Sequence, residues 1–285
     1  MKLGIVFEGG SRKVMFSAGV IDALIDEKIK FDYVLGVSAG AHCALNFVTE
    51  QRGRVFQILK PSKVREGKKA HAIRDGIEKE LHILNYESPY GEYPFDFQKL
   101  FNSKCEYEIC ATCGETATPD YFTERKDEKH LLDILNASCS LPILFPFTEI
   151  GGKHYVDGCI TNSVPFDRAF EKGCDKVVIV STKHVDDKPT DFERYSLLLQ
   201  PMYKKKYPLL YKALINRYDE YMMQTGKIDI LEELGKVFVI RPQQHLCGLF
   251  SVHEDEFQKS YNHGFDYTKS LIADLKKYLE GTPKP

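Results

Sequence analysis

Apolar and polar positions alternate along the first fifty residues in a way that predicts strand, helix, strand, helix. Leu3–Phe7 is a short apolar run that ends at Glu8-Gly9-Gly10. From Ser17 to Lys28 the apolar residues Val20, Ile21, Leu24 and Ile25 recur at helical spacing, with Asp22, Asp26, Glu27 and Lys28 between and after them. Phe31–Leu35 is a second apolar run, closed by Gly36, and Ala41–Thr49 returns to the helical pattern. Strands that alternate with helices imply a parallel sheet with right-handed crossovers.

Further along, 61–104 is more polar. With Lys60 just before it, it carries a basic cluster (Lys63, Arg65, Lys68, Lys69) and a turn-rich aromatic stretch, Pro89-Tyr90-Gly91-Glu92-Tyr93-Pro94. It reads as an insertion of helices and loops and a candidate lid. Glu106–Cys113, Lys153–Val156, Lys176–Val180 and Lys236–Ile240 are strand candidates, His130–Cys139 a helix. Tyr203–Thr225 is mostly helical with a break at Pro208, and Asp255–Leu279 is a closing helix. The expected organisation is an α/β core over 1–182, holding the insertion at 61–104. Helices and a strand over 183–285 would pack on that core as decoration without folding independently.

Composition narrows the picture little. A chain of 285 residues with 43% hydrophobic and 28% charged positions is ordinary for a globular protein. A net charge of −2 gives no reason to expect a nucleic-acid partner. The N-terminal run is too short and too soon interrupted for a signal peptide, and no stretch is long and apolar enough to span a bilayer, so a cytoplasmic location is expected. Eight cysteines without a secretion signal read as buried free thiols. Cys110-Ala111-Thr112-Cys113 lacks the second ligand pair that a metal site needs. No metal or cofactor is expected.

Gly36-Val37-Ser38-Ala39-Gly40 carries the chemistry. A serine hydroxyl is a poor nucleophile unless it is held exposed beside a base. A sharp strand-to-helix turn flanked by small residues does the holding. G-x-S-x-G arises by chance in about one chain in ten of this length, so its position between a strand and a helix is what gives it weight. A bare turn in which Ser38 caps a helix is the alternative. Only one βα unit precedes Ser38, whereas an α/β-hydrolase needs several strands before its elbow. Gly9-Gly10-Ser11-Arg12-Lys13 follows the first strand, and in a parallel sheet this loop lies at the same edge as the Ser38 turn. Glycines there let backbone N–H groups approach a reacting oxygen, and Arg12 and Lys13 either anchor the loop or meet a phosphate. A nucleotide-binding loop is the rival, without a full G-x-G-x-x-G or a ribose-binding acid. Asp157-Gly158-Cys159 ends another strand, which allows Asp157 to face Ser38. His42 reads as structural, because an elbow serine projects away from its helix. His154 reads as lying on the opposite face of the strand from Asp157. Tyr203-Lys204-Lys205-Lys206-Tyr207, with Leu209, Leu210 and Tyr211, has the composition to rest on anionic lipid, but its apolar stripe is short, which favours a solvated face.

These pieces, in this order, resemble the patatin-like phospholipase family: a glycine-rich loop after the first strand, G-x-S-x-G after the second, then an Asp-Gly pair. Phe16-Ser17-Ala18-Gly19-Val20, Phe31-Asp32-Tyr33-Val34-Leu35-Gly36 and Ala137-Ser138-Cys139-Ser140-Leu141-Pro142 are similar to bacterial members. The resemblance implies a three-layer α/β/α sandwich with a mainly parallel sheet and a Ser38–Asp157 dyad without histidine. Gly9, Gly10, Ser11, Arg12 and Lys13 would form the oxyanion hole. It implies an acyl ester or phospholipid substrate and transient contact with a membrane surface, and leaves the oligomeric state open. An acyltransferase with the same dyad and a catalytically weak lipid-binding relative are the alternatives. The chain departs from the family at Ser11, Lys13 and Val14 in the loop and at Cys159 after Asp157-Gly158.

Overall fold

The computed structural model describes residues 1–60, 92–248, 251 and 253–281. Most of the expected insertion, including Lys63, Arg65, Lys68, Lys69 and Pro89–Gly91, lies outside them. The described part of that region holds the short helix α4 (Phe97–Phe101), preceded by α3 (Arg54–Leu59).

One mixed, mostly parallel sheet organises the chain. Its strands are β1 (Leu3–Phe7), β2 (Tyr33–Val37), β3 (Glu106–Cys113), β4 (Pro119–Phe122), β5 (Thr148–Ile150), β6 (Lys153–Asp157), β7 (Lys176–Val180) and β8 (Val237–Ile240). They lie in the order β5-β6-β3-β2-β1-β7-β8, with β4 paired to β3. The central strands are apolar at nearly every position because helices cover both faces. Ile5, Phe7, Val34, Val178 and Val180 face α1 (Val14–Asp26), α2 (Ala39–Val48), α5 (Glu128–Cys139) and α8 (Glu254–Glu280). Their neighbours Val6, Leu35, Val37, Val177 and Ile179 face α6 (Phe166–Glu171) and α7 (Pro208–Glu233). The period of two along each strand thus divides the core into two layers and makes the three-layer α/β/α sandwich.

The C-terminal segment joins this architecture directly. β8 extends the sheet in parallel beside β7. α8 meets α1 where Gly19 and Gly264 face one another: an added Cβ would fall 2.1 Å from the Tyr261 carbonyl oxygen and 2.0 Å from that of Phe16. Only glycines permit backbones to approach so closely.

The sheet also explains how two distant motifs meet. β2 pairs with β3 as far as Val37↔Cys110, and β6 pairs with β3 from Ala111↔Asp157 onward. β4 occupies the other edge of β3 along Ile109–Thr112. β2 and β6 therefore share one edge of β3 and run toward each other. Their ends, Val37 followed by Ser38 and Asp157, come together there.

Candidate active site

Ser38 sits between β2 and α2 with φ 54° and ψ −133°, a conformation that costs a non-glycine residue on the order of 1–3 kcal/mol. Two contacts hold it. Its N–H donates to Ser138 Oγ at 2.8 Å, and that hydroxyl donates to the Cys110 carbonyl at 2.7 Å. Gly40, at the end of the motif, lets α2 start against the end of β1. A Cβ there would lie 2.4 Å from the Phe7 carbonyl oxygen.

Ser38 Oγ donates to Asp157 Oδ2 at 2.7 Å. Asp157 is 3% exposed, and its second oxygen accepts the Cys159 N–H at 2.9 Å. Its own N–H donates to the Ser140 carbonyl at 2.9 Å, so one short segment, Ser138 to Ser140, braces both residues. Burial pushes the Asp157 carboxyl above its ordinary value, partly offset by the Cys159 N–H, the Ser38 hydroxyl and the positive charge of Arg217. The site therefore holds a dry carboxylate against a strained serine, where a proton can pass directly between them.

Cys159 follows the Asp157-Gly158 pair and has a thiol that stays protonated near neutral pH. Burial and the Asp157 charge push its thiol up to about 12. All eight cysteines are free, and six are buried.

The loop after β1 keeps a glycine-like path despite its side chains. Gly10 has φ 150° and Ser11 φ 49°, while Val14 has already entered the right-handed region at φ −66° that valine adopts readily. Gly9 lies against Ser38: a Cβ on it would be 2.7 Å from Ser38 Cβ. The Lys13 N–H donates back to the Gly10 carbonyl at 3.0 Å and closes the turn. Both basic side chains anchor the loop. Arg12 is buried, donates to the Leu59 carbonyl at 2.5 Å and stacks on Phe257. Lys13 Nζ reaches Asp187 at 2.5 Å, and Asp187 also bonds His245 Nδ1 at 2.8 Å.

Ser38, Asp157 and residues 8–13 line one cavity of about 220 Å³. Its lining is apolar at Leu59, Leu141, Leu144, Phe145, Pro189 and Phe192, and polar at Lys188, Thr190 and the buried Arg217. His42 is buried in the wall. His154 lies away from the serine, bonded through Nδ1 to Glu115 at 2.7 Å.

Two neighbours of the site escaped the sequence reading. Glu8 is buried and bonded to Lys183, to Ser181 Oγ at 2.6 Å, to the Thr182 N–H at 2.8 Å and to Tyr221 OH at 3.0 Å. Burial alone would raise its carboxyl, but Lys183 and these donors hold it below the ordinary range. Arg217 donates to the Cys159 carbonyl at 2.9 Å and lies over Phe192. One signal was available in the sequence: Arg217 and Tyr221 continue the buried helical stripe of Leu210 and Leu214 on α7. A charged residue in register with a buried stripe has a partner inside.

The serine turn follows the second strand of an α/β/α sheet, with a carboxylate brought beside it by a strand running the other way. That defines a class distinct from the α/β-hydrolases. A model of the family described as patatin-like phospholipase matches residues 5–54 and 50–170, more than half of the chain, and the chain belongs to that family. Membership suggests lipid acyl-hydrolase activity. A second model, a domain of unknown function (DUF6363), matches residues 207–280. The chain is similar to the uncharacterized protein YjjU of Escherichia coli, 27% identical over 188 residues, covering 64% of this chain and 52% of YjjU. It is also similar to lysophospholipase NTE1 of Saccharomyces cerevisiae, 22% identical over 292 residues, covering 98% of this chain and 17% of NTE1. It thus spans about half of the first relative and about a sixth of the second. Among solved structures, VipD from Legionella pneumophila matches with a TM-score of 0.52 at 12% identity, covering 96% of this chain and 67% of VipD, a likeness of fold. No helix among the described residues is long and apolar enough to cross a membrane.

Proposed function

We propose that the protein is a serine acyl-hydrolase of the phospholipase A, lysophospholipase or esterase type, working through Ser38 and Asp157. The observation that carries this reading is the 2.7 Å hydrogen bond from Ser38 Oγ to the buried Asp157 carboxylate. In the first half-reaction Ser38 Oγ attacks the acyl carbonyl carbon and Asp157 takes its proton. Backbone N–H groups of the loop Gly9, Gly10, Ser11 and Arg12 stabilise the negative oxygen. Lys13, whose N–H closes the turn, serves that loop as an anchor. Asp157 then gives its proton to the leaving alkoxide. In the second half-reaction it takes a proton from water, whose oxygen attacks the acyl-serine ester, and Ser38 recovers its proton as the fatty acid departs. The apolar wall of the cavity suits an acyl chain, and Lys188 and Arg217 add positive charge to its lining.

Fluorophosphonate labelling tests the nucleophile directly. The wild-type protein is expected to be labelled at Ser38 and to hydrolyse short aryl esters, and Ser38→Ala to lose both with its circular dichroism unchanged. A Ser38→Ala protein that kept most of the esterase rate would remove Ser38 from the mechanism.

A further inference from the structure

The segment from Tyr195 to Tyr211, which follows the cavity-lining Phe192, has two unlike faces. Leu199, Tyr203, Tyr207 and Leu210 are buried against Val156 and Ile160, the residues that flank Asp157 in the strand and turn carrying it. The outward side leaves Leu197 88% and Leu198 54% exposed, together with Tyr195, Met202 and Leu209. Single exposed apolar residues are ordinary, but five large ones within fifteen positions form a patch that calls for a partner.

The rim is joined to the cavity wall at its start and in its middle. Phe192, just before it, lines the wall. Tyr203, in its middle, accepts the Ile143 N–H through its hydroxyl at 2.9 Å, and Leu141, Leu144 and Phe145 of that same loop also line the wall. The inner side of the rim is therefore built onto the cavity wall, while its outward apolar side chains are turned to solvent.

Charge selects the kind of partner. No Asp or Glu occurs from Tyr195 to Tyr218, although the whole chain carries a net charge of −2. Lys204, Lys205, Lys206 and Lys212 are all exposed there. Lys204 lies over the Tyr211 ring at 5.9 Å and Lys206 over Tyr207 at 5.0 Å, which keeps both ammonium groups on the rim. Apolar side chains that enter the acyl boundary, next to lysines that meet negative headgroups, are the two components of binding to a lipid interface. The short apolar stripe read from Leu209 to Tyr211 understates the surface. Leu210 turns inward, and the exposed apolar residues lie mostly before the lysines.

We propose that this rim docks the protein on an anionic bilayer surface and holds the cavity near the lipid. The proposal rests on the acyl-hydrolase reading for its purpose, and its test separates the two. Wild type, Ser38→Ala, the triple variant Leu197→Ser/Leu198→Ser/Met202→Ser and the triple variant Lys204→Gln/Lys205→Gln/Lys206→Gln are sedimented with phosphatidylcholine vesicles, with and without phosphatidylglycerol. Each is also assayed on a soluble p-nitrophenyl ester. Wild type and Ser38→Ala are expected to bind the phosphatidylglycerol vesicles, and more weakly as salt rises. The lysine variant should lose affinity on the order of a hundredfold, and the apolar variant should lose binding at all salt concentrations. Both triple variants should turn over the soluble ester at the wild-type rate. Wild type that ignores anionic vesicles while hydrolysing the soluble ester overturns the docking proposal alone and leaves the rim as a protein contact. Triple variants that bind as well as wild type overturn it too. Vesicle binding lost in both triple variants, in a protein that hydrolyses nothing and takes no fluorophosphonate, upholds docking and sinks the acyl-hydrolase reading.

Discussion

The Ser138 hydroxyl accepts the backbone N–H of Ser38 at 2.8 Å while donating to the Cys110 carbonyl. The strained turn at Ser38 is thereby tied to the neighbouring strand β3 by one buried side chain. Ser138→Ala leaves the Ser38 N–H and the Cys110 carbonyl without this partner, at a cost of about 1–3 kcal/mol for a buried unsatisfied group. The expected result is a lower Tm and a kcat reduced about tenfold or more, with KM little changed, since a shift of the turn misplaces the attacking oxygen. Steady-state kinetics beside thermal unfolding read both effects. A variant with lowered stability and unaltered kcat would show that the contact serves the fold alone.

Asp157→Asn separates function from stability. The amide cannot take the Ser38 proton, so the esterase rate should fall about 10³–10⁴-fold. Asparagine can still satisfy the site: its oxygen can accept the Cys159 N–H while its NH2 donates to the Ser38 hydroxyl. Because burial raises the Asp157 carboxyl in the folded state, that state holds the proton more tightly than the unfolded chain does. The ionised carboxylate thus destabilises the fold fully at pH above its folded value, and that penalty vanishes below the unfolded one. At neutral pH the inactive Asp157→Asn protein should therefore have a higher Tm than wild type. Wild-type activity should fall on the acid side, as Asp157 takes up a proton above the ordinary aspartate range. A Tm below that of wild type at pH 7 would contradict this account.

Glu8→Gln should do the reverse. Its carboxyl lies below the ordinary range in the fold, so its ionised form contributes stability above the unfolded value, and that contribution is lost as pH falls through the folded one. Removing its charge leaves Lys183 facing a neutral amide in a buried site, a change of about 3–5 kcal/mol for a broken buried pair. Denaturant unfolding across pH should show a large loss at pH 7 that shrinks toward acid. A pH-independent difference would assign the effect to packing.

Lys13→Ala tests the anchoring of the loop. Lys13 is committed to Asp187, so the variant should lose activity equally on anionic phospholipid and neutral ester. Selective loss on the anionic substrate would mean that Lys13 reads the headgroup. His184, His245, His253 and His263 changed singly to Gln should each leave the rate within a few-fold, since none holds the serine proton in the dyad reading. His245 deserves the closest measurement because it shares Asp187 with Lys13. A folded histidine variant as inactive as Ser38→Ala would replace the dyad with a triad.

Local patterns were enough for the elements and motifs whose signals are short-ranged. Leu3–Phe7, Glu106–Cys113 and Lys176–Val180 form strands with the expected bounds, because an apolar run between turn residues has few other ways to satisfy its backbone. The family follows from motifs, each a few residues long. The bounds of β2 moved from Phe31–Leu35 to Tyr33–Val37, since its ladder to β1 and β3 starts at Tyr33 and carries on through Gly36, while Phe31 packs among the helices. The strands Pro119–Phe122 and Thr148–Ile150 were not legible, because they are short and have no buried run of their own. The motifs named Ser38 and Asp157 as partners, but how they meet, and which other groups join them, was decided by the tertiary structure. Ser38 and Asp157, 119 positions apart, come within hydrogen-bond reach because β6 takes over the edge of β3 that β2 leaves. Ser138, Arg217, and Glu8 with Lys183 and Tyr221 join them from separate elements, and Leu197, Leu198 and Met202 face outward because the inner side of their segment is filled. Hydrophobic period and turn chemistry act over a few residues and survive in the sequence. Which edge, face or charge becomes a neighbour depends on how the layers close.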